Sequence, residues 1–572
     1  MAHLLAWLDE SPARYESLAW AGFAVLLALA ALPAALALAK RRPNSLWLGP
    51  WMFVAAVLLC TAAFRWPSVL DNEELQDPDE SQMIAAAITL RHDPLFLRSV
   101  DGATCGPVDE VPLTALAALG VRVDYRVAHA AALGLTLAGV LATWLALRRL
   151  FGDPASRMMV LPLVAAVAFC DFNQLLHYST EQCPAALVAI AFCSMVRAWD
   201  PEGRLVRPGW LAGCGLALGA VPFAKLQGAP VALFVALGAF ILIGATPRAP
   251  SGMRLKAALL LACAGLALPL VFLAGIWSWG QWGEFSRSYI IGNIGYLSGR
   301  MFSWSDSPFR LLGLVRVAPG FGAYLLPGTA FVLLAAAVML ARPSGGWPRR
   351  MAVFTLGLLL ASAFAVVAPG RDFFHYLHFL YFPAALCMGC FFGYLWQALG
   401  PREGSADSIS RAQALCSLCF LGLCVGPQLL WRVMAPNPYE GFYAAGRSVL
   451  SVSEAAREIL RHGGQDDSVA IWGWTPRLWV ETGLRQGTRD GNTIRQIEPG
   501  GLQVQYLQRY LRDLERNRPA VFVDAVGGKN FLNDRAGRGI ERFPAIMTCI
   551  SAEYRFVREV EGTRVYVRKD LP

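Results

Sequence analysis

The stretch "DPDESQMIAAA", residues 77–87, packs three carboxylates, Asp77, Asp79 and Glu80, into four positions and then turns apolar. Apolar runs dominate the rest of the chain. Of its 572 residues 56% are hydrophobic and 16% charged, with a mean hydropathy of +0.44. A soluble globular protein is about a quarter charged. Runs near the ~20 residues that cross a bilayer core recur along the chain. The spacing predicts about twelve membrane spans: 18–39, 46–64, 126–147, 158–176, 182–197, 209–223, 228–246, 257–277, 321–341, 351–368, 377–398 and 412–431. The fold class is therefore a polytopic α-helical membrane protein. Acid beside an apolar segment then needs an explanation.

The net charge of +9 invites a nucleic-acid reading, but the placement of the charges argues for topology. Alternate short loops hold seventeen Lys and Arg, from Lys40, Arg41 and Arg42 through Arg248 and Arg342 to Arg402 and Arg411. The short loops of the other side hold Lys225 and Arg371. This is the positive-inside pattern, with both termini outside. The run Leu18–Ala39 is followed, not preceded, by its basic cluster, as in an anchor rather than a cleaved signal. Most of the 13 cysteines fall inside apolar runs, where thiols act as small hydrophobes. Cys416 and Cys419 have C-x-x-C spacing but sit in such a run, which speaks against a redox or metal site.

Three long segments fall outside: 65–125, 278–320 and 432–572. The first carries amphipathic pieces around 80–92 and 108–119, each too short to span and suited to the interface. The second, "GQWGEFSRSYIIGNIGYLSGR", reads as an interfacial helix with a loop. The chain thus divides into a transmembrane part, 1–431, and a soluble α/β part, 432–572, loosely Rossmann-like. In the latter "SVAIWGW" and "PAVFVDAV" read as buried strands, with the helical spacing of "GGLQVQYLQRYLRDLERN" between them. "YRFVREVEGTRVYVRK" reads as a hairpin turning at Glu561-Gly562. No G-x-G-x-x-G follows the first strand, so nucleotide binding is not supported.

On this topology the opening acids stand at the outer membrane edge. They cap a helix beginning near Ser81, which accounts for Asp77. Asp79 and Glu80 also suit a general base, because desolvation at such a boundary raises a carboxyl pKa toward the useful range. Glu181, in "HYSTEQCPAAL", stands at the outer mouth of the fifth span; it either caps that helix or faces a cavity. "AVPFAKLQGAP" breaks an apolar run with Lys225 at its apex, which either snorkels to headgroups or binds a lipid phosphate. "APGRDFFHYLHFLYFP" sets Arg371, His375 and Tyr376 at the outer end of the eleventh span. Aromatic-belt packing explains its rings, while the Arg-His pair suits an anionic oxygen. His375 and His378 share a helix face, but no third metal ligand is apparent.

Taken in order, "PDESQMIAAAITLRHDPLF", "YSTEQCPAAL", "GLALGAVPFAKLQGAPVAL" and "PGRDFFHYLHFLYFP" resemble the motifs of GT-C superfamily membrane glycosyltransferases. The nearest groups are bacterial protein-mannosyltransferase-like and lipid A aminoarabinose transferase-like enzymes. The resemblance covers roughly residues 46–431. It implies a GT-C fold in the bacterial cytoplasmic membrane with an outward-facing site. The donor would be a polyprenyl-phosphate-linked sugar, and the acceptor a hydroxyl on a lipid, glycan or protein. Asp79 would be the base, with Glu80 or Glu181 orienting the acceptor or sharing the proton. Lys225, Arg371, His375, Tyr376 and Arg300 would bind the lipid phosphate, and the anomeric carbon would invert. Some relatives need a divalent cation and others do not; Asp77, Asp79 and Glu80 could in principle hold one, but the acids alone do not show it. One departure stands out. Aminoarabinose transferase-like enzymes carry a Lys-Pro pair where this chain has "CGPVDEVPLTAL", with Asp109 and Glu110. A transporter or flippase of a lipid-linked glycan is the alternative, but ionisable groups gather at span ends, not midplane, and no inverted repeat is evident. A non-enzymatic assembly protein is a third reading.

Overall fold

The computed structural model describes residues 12–39, 48–73, 78–200, 202–246, 249–341, 346–400, 409–435 and 449–571. Asp77, Lys40, Arg41, Arg42, Arg248, Arg342 and Arg402 lie outside the described residues. Among those described, nine helical segments are long and apolar enough to cross a membrane, from Ala13–Leu38 to Arg411–Met434. Two shorter apolar helices, Gln182–Arg197 and Trp210–Ala224, pack among them. Asp153–Ala168 is also short but buried along nearly its whole length.

The expected run 158–176 is a correction. Its helix ends at Ala168, and a 3-10 turn, Asn173–Leu175, follows. Asp171 and Asn173 interrupt the apolar run there. The last expected span is two helices, Arg411–Cys424 and Gly426–Met434, broken where Pro427 has no N–H to donate.

The 65–125 segment, expected outside and hence called the first outer segment, forms helices Pro78–His92 and Pro107–Ala118, close to the expected pieces. The first begins three residues before Ser81. Pro78 takes the first helical position, where a missing N–H costs nothing, and Asp79 and Glu80 fall in the first turn, where the helix dipole favours acids. The 278–320 segment holds a π-helical turn, Phe285–Ile291, continuing into Gly292–Ser298, and then the helix Ser307–Val317.

The C-terminal sheet has five strands: β1 Ser468–Gly473, β2 Arg485–Gln486, β3 Val521–Ala525, β4 Tyr554–Val560 and β5 Thr563–Arg568. Their order is β2-β1-β3-β5-β4. β1 pairs in parallel with both β2 and β3, while β5 runs antiparallel to β3 and β4. β1 and β3 are buried throughout, as parallel strands covered on both faces must be. Val469, Ile471, Val521 and Val523 face one core; Ala470, Trp472 and Phe522 face the other. The period of two makes that division. The hairpin turns at Glu561 and Gly562, both with positive φ, in the manner of a two-residue turn matched to strand twist.

This sheet sits on the first outer segment. Ala85 shares a core with Val469 and Val521. Gln486 N donates to Thr89 Oγ1 at 3.0 Å, and Asp101 N donates to the Arg489 carbonyl at 2.7 Å.

Candidate active site

Glu181 holds the N-cap position of the Gln182–Arg197 helix without a side-chain capping bond and is fully buried. A buried carboxylate needs partners. It accepts hydrogen bonds from Lys225 Nζ, Ser179 Oγ and Thr180 Oγ1. His375 Nε2 stands 3.9 Å from the same oxygen that Lys225 contacts. Lys225 also donates to Thr180 Oγ1 at 2.5 Å and lies 5.4 Å from the centre of the Tyr376 ring. Tyr376 and Tyr296 share a hydrogen bond of 2.9 Å, and the Arg371 guanidinium stacks over Tyr296 at 4.3 Å. Four sequence-predicted residues, Glu181, Lys225, His375 and Tyr376, thus meet, with Arg371 one ring away.

Lys225 reaches this place because its backbone is extended between two helices, Trp210–Ala224 and Ala229–Gly244. Cys105 bridges it in antiparallel fashion, and Gly106 N donates to the Ala224 carbonyl at 2.7 Å. Gly106 has to be a glycine: a Cβ there would lie 2.1 Å from the Phe223 carbonyl oxygen. Lys225 does not snorkel to headgroups. It is buried and paired.

Burial alone would push the Glu181 carboxyl up, but Lys225 and then His375 hold it below the usual carboxylate range. Burial would likewise lower Lys225, yet Glu181 raises it above its ordinary value. Each stabilises the charged form of the other.

Asp79 stands half-buried on the first turn of its helix, close enough for its charge to be felt by Lys225, Tyr296 and Tyr376. Gln82 Nε2 donates to its Oδ1 at 2.6 Å. Its neighbour Glu80 points elsewhere, since successive helical residues are ~100° apart. Glu80 is fully buried, accepts from Tyr178 N at 2.7 Å, and lies 3.2 Å from His129 Nε2. It braces the outer segment against the loop that carries Glu181.

Arg300 is spent locally. Its guanidinium donates to Ala368 O at 2.5 Å and Ser307 Oγ at 3.1 Å, and it stacks on Trp304 at 3.7 Å. No contact recorded among the described residues brings it to the Glu181–Lys225 pair. The Phe302–Ser307 loop and the end of the Trp347–Val367 helix have claimed it.

Sequence reasoning did not assign Tyr296, or Asp109 and Glu110 beyond their departure from the family pattern. Cys105 Sγ lies 3.3 Å from Asp109 Oδ2 and 3.5 Å from Glu110 Oε1. Burial pushes Glu110 up to about 8 and Asp109 well above the carboxylate range. Asp109 is within electrostatic reach of Lys225 and Glu181. Among the described residues no group of three or more His, Cys, Asp or Glu is arranged to hold a metal. Glu80 is committed to Tyr178 and His129, so the acids of the opening motif that are described do not converge as cation ligands.

No family model matches the chain, and no curated protein matches its sequence. Solved structures do. ArnT from Cupriavidus metallidurans bound to undecaprenyl phosphate superposes with a TM-score of 0.54 at 15% identity, over 90% of this chain and 97% of that one. Its apo state gives 0.53 at 16% identity over the same shares. This is the GT-C fold. The likeness is one of fold; the residues of the site carry the chemistry below.

Proposed function

We propose that this GT-C protein is a glycosyltransferase. It moves a glycosyl group from a polyprenyl-phosphate-linked donor to an acceptor hydroxyl at the outer face of the cytoplasmic membrane. The single observation that carries this reading is a carboxylate, Asp79, in the field of a buried cationic centre, Lys225 with His375 and Tyr376, with Arg371 beside it. The solved ArnT of the same fold, bound to undecaprenyl phosphate, supports the donor class.

The reaction needs two services. The acceptor oxygen forms a bond to the anomeric carbon and loses its proton to Asp79. The bond from that carbon to the phosphate oxygen breaks, and the electron pair leaves on the lipid phosphate. One displacement inverts the carbon. A phosphate leaving group needs its charge stabilised more than it needs a proton. Lys225, Arg371, His375 and the Tyr296–Tyr376 hydroxyls supply that. Glu181 keeps Lys225 charged and aimed. Arg300 shapes the loop beside the site and is not assigned to phosphate.

The test is mass spectrometry of envelope lipids and glycans from a deletion strain, complemented with wild type or Asp79→Asn. A glycose missing in the deletion and restored by wild type alone supports the reading. Full restoration by Asp79→Asn, expressed at the wild-type level, overturns it.

A further inference from the structure

Two side-chain amides connect the C-terminal sheet to Asp79. Gln82, one helical turn after Asp79, donates from Nε2 to Asp79 Oδ1 at 2.6 Å. Its own Oε1 accepts from Asn492 Nδ2, also at 2.6 Å. Asn492 Oδ1 in turn accepts from Ile494 N at 3.2 Å. Every amide in this row has its donor and acceptor ends assigned by the next contact. A backbone N–H therefore sets the direction of the whole row and delivers a donor to the carboxylate.

The row starts from a rigid place. Thr493 N donates to the Gly473 carbonyl at 3.0 Å, and Gly473 N donates to Thr493 Oγ1 at 2.7 Å, so the end of β1 grips the segment. Asp490 is bridged in parallel to Asp101 of the first outer segment and is bonded by Arg509. Gly491 lets Gln82 in: a Cβ there would lie 3.0 Å from Gln82 Oε1 and 3.2 Å from its Cγ.

We infer that Asn492 and Gln82 are positioning residues that fix the orientation of the Asp79 carboxylate, so that the C-terminal sheet sets the reactivity of the membrane site. This rests on the reading of Asp79 as the base. A donor held on Oδ1 stops the side chain from rotating, so that the base meets the acceptor in one geometry. Among the described residues, the charged and titratable groups that face Asp79 from other elements include Lys225, Tyr296 and Tyr376. None of them belongs to the amide row.

The row can be reversed by one atom pair. Asn492→Asp keeps the acceptor for Ile494 N and replaces the donor by a second acceptor. Gln82 must then turn its Nε2 toward position 492 and its Oε1 toward Asp79, a contact satisfied only when Asp79 is protonated.

The experiment is infrared spectroscopy of the purified full-length protein in lipid nanodiscs at one neutral pH, following the carboxylate stretching band that Asp79→Asn removes. Asn492→Asp is expected to shift that band, because the donor on Oδ1 is lost. Gln82→Ala should shift it too, and Asn492→Asp in the Gln82→Ala background should add less than it does in the wild type. An unmoved band in Asn492→Asp overturns the inference. Thermal unfolding checks that the variant is folded; if it is not, Gln82→Ala, which removes the donor outright, carries the test, and an unmoved band there overturns the inference. The base role is judged separately by Asp79→Asn complementation. A failed base with a shifted band, and a sound base with an unmoved one, are therefore distinguishable results.

Discussion

Arg509, on the helix between β1 and β3, and Asp101, in the first outer segment, meet at 2.7 Å with both side chains buried. The same guanidinium bonds Asp490 and lies 3.2 Å from Glu284 of the 278–320 segment. Arg495 joins through Ser288 at 2.7 Å. One buried cation therefore ties together three stretches of chain far apart in sequence: the first outer segment, the π-helical segment that leads to Tyr296, and the sheet that carries Asn492.

Removing that cation should loosen all three. Arg509→Met leaves Asp101, Asp490 and Glu284 without their shared partner, and breaking a buried pair from one side costs about 3–5 kcal/mol. Hydrogen exchange should show lost protection at residues 96–105 and 284–296. Unchanged protection there would refute the role.

The latch also has a pH signature. Burial would raise the Asp101 carboxyl, but Arg509 and then Arg495 hold it below the usual carboxylate range. A depressed folded pKa stabilises above the unfolded value and is lost as pH falls through the folded one. The contribution should be complete at neutral pH and fall away below about pH 4, the unfolded carboxyl value. Asp101→Asn should flatten this acid limb in thermal unfolding.

Glu110 has the opposite sign. Burial raises it to about 8, so the folded state holds a proton that the unfolded state has released. Between the unfolded value near ~4.3 and about 8, stability falls as pH rises, by at most ~1.4 kcal/mol per pH unit. Glu110→Gln should remove this slope and make the protein more stable than wild type at pH 8. Melting curves from pH 5 to 9 decide it, and an unchanged slope would sink the assignment.

Lys225 and Glu181 should separate stability from transfer. Lys225→Met strands a buried carboxylate and should cost about 3–5 kcal/mol together with activity. The double variant Lys225→Met with Glu181→Gln should recover most of the stability and none of the transfer, read by melting temperature and envelope glycan analysis. Recovered transfer would show that the pair serves the fold alone.

Gly106→Ala should push the first outer segment off the Ala224–Lys225 backbone. The added methyl meets backbone at 2.1 Å and the Tyr289 hydroxyl at 2.6 Å, so the chain itself must move. A loss of about 1–3 kcal/mol is expected, with impaired transfer. Wild-type melting and glycan levels would show that the approach is not needed.

The apolar runs, the two short helices of the 65–125 segment, the two parallel strands and the Glu561-Gly562 hairpin were legible in the sequence because each depends on neighbours within one turn or one strand. Run length against bilayer thickness, a period of 3.6 or 2, and turn chemistry are local rules. They erred at an end, where the helix stops at Ala168 inside an expected span, and in the interior of the last span, which breaks before Pro427. The motif residues also carried enough chemistry to suggest a carboxylate and a cationic group on one side.

Which acid faces the site was decided elsewhere. Asp79 and Glu80 are adjacent and chemically alike, and Tyr178 and His129 claimed the second. Lys225 met Glu181 rather than headgroups, Arg300 was taken by its own loop, and Tyr296 and Asn492 arrived from segments without a recognisable motif. The sequence alone determined which groups could ionise and which segments would be helical. Only the tertiary structure decided how those groups pair, because pairing depends on distances between residues hundreds of positions apart.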